Sequence, residues 1–127
     1  MKKKTLLSTA LVATFCLALQ TSSSFADGHE VIEKVMKDYH KAPEGTDPLC
    51  KKVGAGAATE EELAKLLAGY QEMAKCEPPK GAKSSWETKN KALIDAVIAI
   101  QKKDPAGVSA YKQAVNCKNC HSAHKPD

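Results

Sequence analysis

Five residues near the C-terminal end, Cys117-Lys118-Asn119-Cys120-His121, spell C-x-x-C-H, the attachment pattern of a c-type haem. Two thiols three positions apart share one helical turn and can add to the two vinyl groups of one porphyrin. His121, adjoining the second thiol, would then sit under the iron as proximal ligand. Only a short tail follows His121 and it holds no methionine, so a sixth iron ligand is expected from upstream. Two other chemistries share these residue types. A redox dithiol needs a βαβ context, and the chain has no β-rich run. A zinc site could use Cys117, Cys120, His121 and His124, but ligands crowded so closely do not match the usual split spacing.

The compartment suits haem attachment, which follows export. Residues 1–26 read as a cleavable signal peptide: Lys2-Lys3-Lys4, an apolar stretch from Leu6 to Leu19, and Ser24-Phe25-Ala26 as a small-x-small cleavage site. The stretch is too short and too interrupted to span a bilayer. Phe15 before Cys16 is wrong for lipoprotein processing. The mature domain, 27–127, is therefore expected in a periplasm and not spanning a membrane.

Loss of Lys2, Lys3 and Lys4 lowers the formal net charge from +4 to +1, and two haem propionates would take it to about −1. No basic stripe with interleaved aromatics appears, and the chain has no arginine, so nucleic-acid binding has no support. No paired carboxylates, Ser-His-Asp set or phosphate loop is present, so the protein is not expected to be an enzyme. Both phenylalanines lie in the signal. The mature core has only Trp86, Tyr39, Tyr70 and Tyr111 as aromatics, and a flat porphyrin would complete it.

Periodicity predicts an all-α chain of four helical segments. Val31, Ile32, Val35, Met36 and Tyr39 make one face of a helix over about 28–42, broken by Pro43, Gly45 and Pro48. A short turn through Leu49–Val53 follows. Thr59 and Glu62 form a capping box for a second helix faced by Leu63, Leu66, Leu67, Tyr70 and Met73 or Ala74. Ser84 and Glu87 read as the box of a third, carrying Trp86, Leu93, Ile94, Val97, Ile98 and Ile100. Asp104-Pro105 reads as N-cap and first residue of a fourth, which carries Val108, Tyr111, Val115 and then the haem motif. Short links point to an antiparallel four-helix bundle with the haem on its C-terminal helix.

Signal, helices and C-terminal C-x-x-C-H together resemble the cytochrome c-prime family, the class II cytochromes c, over the whole mature chain. The common small cytochromes c carry this motif near the N-terminus instead. In the class II motif an aromatic residue stands third after the ligand histidine and a basic residue fourth. Lys125 fits the basic place; His124 stands where the aromatic is expected. The resemblance implies one covalent haem c per chain, held by Cys117 and Cys120, and a first helix that covers the distal haem face. It also admits an antiparallel homodimer.

Low-spin members of that family place a first-helix methionine on the iron and carry electrons between redox partner proteins. High-spin members leave the site open and bind nitric oxide or carbon monoxide. Met36, on the inward stripe, stands where that methionine is expected; its plainer role is core filler. His40, one turn on, is the competing ligand and would give a bis-His site. Cys50 and Cys76 remain over: in an oxidising compartment they suit a disulfide, and otherwise stay as two buried thiols. Covalent attachment is directly testable. The exported protein should keep its haem through acid-acetone extraction, and a Cys117→Ala, Cys120→Ala double variant should release it. A colourless protein from cells competent in cytochrome maturation would refute the reading.

Overall fold

The computed structural model describes residues 25–127, and the expected signal lies outside them except for its last two residues. All regular structure among the described residues is helical. Six segments follow in order: α1 (Phe25–Tyr39), α2 (Leu49–Gly54), α3 (Glu60–Lys75), α4 (Lys83–Gln101), α5 (Gly107–Ala114) and α6 (Cys117–His124). None is long and apolar enough to cross a membrane.

The longest, α4, packs against α3 on one side and α5 on the other, and α1 lies on α3. Val35, Val53, Leu66, Tyr70, Trp86, Val97 and Tyr111 meet in one buried cluster, with Met36, Leu67 and Ile94 packed on its edge. The inward face of α3 recurs as Leu63, Leu66, Tyr70 and Met73, all buried, at the period of a helix. Its start is the expected box: Thr59 Oγ1 accepts from the Glu62 amide at 3.1 Å, and Glu62 Oε2 accepts from the Thr59 amide at 2.9 Å. Such a cap contributes about 1 kcal/mol. Where α1 crosses α3, the Tyr39 ring lies on Gly69 so closely that a Cβ there would come within 2.5 Å of it.

Four expectations need correction. Helix α1 stops at Tyr39 instead of about residue 42, because Pro43 forces the residues before it out of helical geometry. The Ser84–Glu87 box does not form. Helix α4 starts two residues earlier, at Lys83 after Ala82, and the Ser84 carbonyl accepts from Thr88 Oγ1 at 2.8 Å. The earlier start buries Trp86, whose indole donates to the Cys76 carbonyl at 2.9 Å. Asp104 does not cap a helix directly: its carboxylate accepts from the Ala106 amide, making a turn, and α5 begins at Gly107. There a Cβ would meet the Ile100 amide nitrogen at 2.8 Å, so glycine lets α5 close on α4.

The largest departure is the fourth helix. It breaks at Val115 and Asn116, and the C-x-x-C-H residues occupy a helix of their own, α6. Asn116 is the cause: its side-chain oxygen accepts from the Asn119 amide at 3.0 Å, starting a new helix where the old one would have continued. The far end of α6 rests on Gly81. That residue has φ +80°, and a Cβ on it would lie 2.5 Å from the Ala123 carbonyl oxygen. Gly81→Ala should therefore cost roughly 2 kcal/mol through backbone strain and the forced shift of α6. A urea unfolding midpoint equal to wild type would contradict this packing.

Candidate functional site

Helix α6 presents Cys117, Cys120 and His121 on one side at spacings of three and four residues, so they share a face. Cys117 and His121 are exposed and Cys120 is half-buried. His124, three residues after His121 and four after Cys120, continues the same stripe into the last turn, where it is 2% exposed and anchors the helix. Its Nδ1 lies 2.8 Å from the Lys80 carbonyl oxygen and its Nε2 lies 3.1 Å from Ser85 Oγ. A carbonyl only accepts, so Nδ1 carries a proton, and the serine hydroxyl can donate to Nε2 of the neutral ring. The ring also meets Trp86 edge-on, with centroids 5.3 Å apart. His124 thus fills the aromatic's place by an aromatic contact and adds two hydrogen bonds.

Across from α6 stand the C-terminal end of α1 and the inner faces of α3 and α4. Met36, His40, Met73 and Leu93 close a cavity of about 130 Å³ with the two motif cysteines and His121. A second cavity of about 300 Å³ adjoins it, walled by Ile32, Pro79 and Trp86, and shares Met36, Met73, Cys120 and His121 with the first. Together they reach the size of organic-ligand pockets, roughly 300–1,000 Å³. Two thiols for covalent attachment, one imidazole beside them, a thioether opposite and apolar walls make a donor set that could hold a porphyrin. The zinc alternative finds no such support. Both nitrogens of His124 are engaged elsewhere, and no group of three or more His, Cys, Asp or Glu side chains is placed to hold a metal ion among the described residues.

Each sequence-predicted residue can now be placed. Met36 is half-buried and lines both cavities. His40, just past the end of α1, is half-buried and lines the inner one. Its Nε2 lies 3.0 Å from the hydroxyl of Tyr70, which lies 2.8 Å from that of Tyr111. Burial, helped by the nearby His121 charge, lowers the His40 pKa to about 4. Burial likewise raises the Cys50 and Cys120 thiols, and Cys117 adds to the effect on both.

Cys50 and Cys76 are both free thiols, so the expected disulfide is not formed. Cys50 lies close enough to Tyr70 to influence its ionisation. Cys76 is six residues further along α3, about 9 Å at the helical rise. It sits beside Gly28 at the other end of α1, with 3.9 Å between its sulfur and a Cβ built there. A bridge needs Cα atoms within about 7 Å.

Sequence reasoning missed Met73 as a cavity wall, Trp86 as the floor under His124, and the pair Tyr70–Tyr111 behind His40. The signal for the last was available: two inward-facing tyrosines in a small core must satisfy their hydroxyls somewhere. Comparisons of the chain with protein-family models, curated proteins and solved structures gave no match.

A pH dependence follows from His40. Its folded pKa, about 4, lies below the ordinary 6.5, so the unfolded chain takes up the proton first. The stability this neutral ring contributes is complete above about pH 6.5 and is lost as pH falls towards 4. The loss should be on the order of 2 kcal/mol, discounted because part of the ring remains in water. Denaturant midpoints of the cofactor-free chain should fall over that range in wild type, and fall less in His40→Ala. Parallel curves would show that His40 is charged in the fold.

Proposed function

We propose that the chain is a periplasmic monohaem c-type cytochrome of the class II, antiparallel four-helix-bundle kind, carrying single electrons between redox partner proteins. One observation carries the reading: the C-x-x-C-H face of α6 and the Met36 thioether open onto one apolar cavity from opposite elements. When bound, the haem would supply a one-electron couple at its iron. The chain's residues do the rest. Cys117 and Cys120 fasten the porphyrin edge, and His121 provides the proximal nitrogen. Met36 provides a soft sulfur that favours the ferrous state and raises the potential. Leu93, Met73 and Trp86 keep water from the ring.

The lysines support a partner with an acidic face. Most of them are engaged by carboxylates, as in Lys37–Glu33, Lys51–Asp47, Lys65–Glu61, Lys83–Glu77 and Lys103–Glu60. Among the described residues, Lys41, Lys89, Lys102, Lys112, Lys118 and Lys125 have no such partner. Lys41 and Lys125 line the outer cavity, Lys118 lies within the motif, and Lys89 is close enough to act on Cys120. Four of these six lysines thus lie where an electron would enter or leave, and they would steer an acidic partner there.

A second reading, gas binding at a five-coordinate iron, draws on the room beside Met36 in the outer cavity. Met36→Ala separates the two. For electron transfer the wild-type protein should be low-spin in both oxidation states and bind carbon monoxide poorly. Met36→Ala should then be high-spin and bind the gas faster. Its potential should drop by on the order of 100 mV, a fraction of the roughly 0.8 V that axial ligands command. A wild-type protein already high-spin would establish the gas-binding reading instead.

A further inference from the structure

His40 poses a problem for any account in which Met36 is the sixth ligand. Both side chains line the inner cavity opposite His121, one helical turn apart. An imidazole suits iron well, and ferric iron gains less from a thioether. Something has to keep the histidine away.

We propose that Tyr70 is the positioning residue that withholds His40 from the sixth-ligand place and so leaves it to Met36; the proposal rests on the haem reading above. The Tyr70 hydroxyl lies 3.0 Å from His40 Nε2, the ring nitrogen farthest from the backbone and the one a short side chain would present to a metal. If the phenol donates, it occupies the Nε2 lone pair. If it accepts, Nε2 carries a proton and has no lone pair to give. Either direction disarms that nitrogen.

The clamp is rigid because its anchor is buried. Tyr70 is 0% exposed, as is Tyr111, whose hydroxyl lies 2.8 Å from that of Tyr70. The phenol is thereby fixed from behind, and its ring stands tilted by 39° to the imidazole at 5.7 Å. For His40 to swing to the iron, the buried pair of hydroxyls would lose one of its hydrogen bonds. The backbone resists too: the His40 amide donates to the Met36 carbonyl at 3.1 Å, which holds the two residues in helical register. Met36 meets no comparable restraint. No polar group holds its thioether, and its long side chain can reach across the cavity.

The test is ligand identity in the holoprotein, read from absorption and magnetic circular dichroism spectra. Wild type should show the red-end sulfur-to-iron charge-transfer band of ferric His/Met ligation. Tyr70→Phe keeps the ring and removes the hydroxyl; it should lose that band entirely, stay low-spin with a bis-imidazole signature, and lower the potential. Adding His40→Ala to Tyr70→Phe should restore the band. With Tyr70 intact, Met36→Ala should be high-spin, and this arm stands even if Tyr70→Phe fails to fold. A bis-imidazole spectrum in Met36→Ala would overturn the clamp, as would a Tyr70→Phe spectrum identical to wild type; either leaves the haem reading standing. Absence of the band from wild type would remove Met36 ligation itself, and the clamp with it.

Discussion

The docking of α6 is the constraint on which the rest depends. A helix of eight residues has almost no stability of its own in water, yet this one must hold three reactive side chains in a fixed fan. What fixes it lies at its two ends. Asn116 starts the helix, His124 plugs its last turn into the core through Lys80, Ser85 and Trp86, and Gly81 admits the chain to within contact of Ala123. Breaking the fourth helix at Val115 frees α6 to rotate relative to α5. The motif face can then turn towards α1 while Tyr111 of α5 stays in the core.

The facing wall is held by a different device. Close approach of α1 to α3, through Tyr39 on Gly69, brings the end of α1 against the middle of α3. Met36 and His40 then fall opposite α6, and Tyr70 comes within reach of His40. The two facing walls, α1 and α6, touch each other little directly; α1 is set by its contact with α3 and α6 by its contact with α4. Large side chains close its ends and none fills its middle.

How much of this was legible in the chain depended on the range of the interaction. Local signals read well. The all-helical character, the Thr59–Glu62 box and the inward stripe of α3 each rest on contacts a few residues apart. The same rules misjudged Ser84–Glu87, because the burial of Trp86 and the Ser85–His124 contact outweigh a surface cap of about 1 kcal/mol. The break at Asn116 went unread, because the apolar spacing from Val108 to Val115 runs straight into the motif. The Cys50–Cys76 pairing failed for a longer-range reason. Even number and compartment say nothing of where two thiols lie: Cys50 is on α2, while Cys76 closes α3 beside Gly28.

His40 was the residue least accessible to pattern reading, and it shows why. Its sequence position, just past a helix end beside Lys41, is that of a solvated residue. Its surroundings depend on a tyrosine thirty positions away, which in turn depends on another forty-one positions further on. Such a chain of hydrogen bonds is costly to leave half-made in a low-dielectric core, so its members constrain one another more tightly than apolar neighbours would. Dehydration follows from the same packing. The burial that shuts water out around Tyr70 and Tyr111 also keeps the His40 ring neutral above about pH 4. Near an iron, a neutral imidazole is a potential ligand and a charged one is not. Burial therefore creates the competitor, and the phenol that the same burial immobilises is what restrains it.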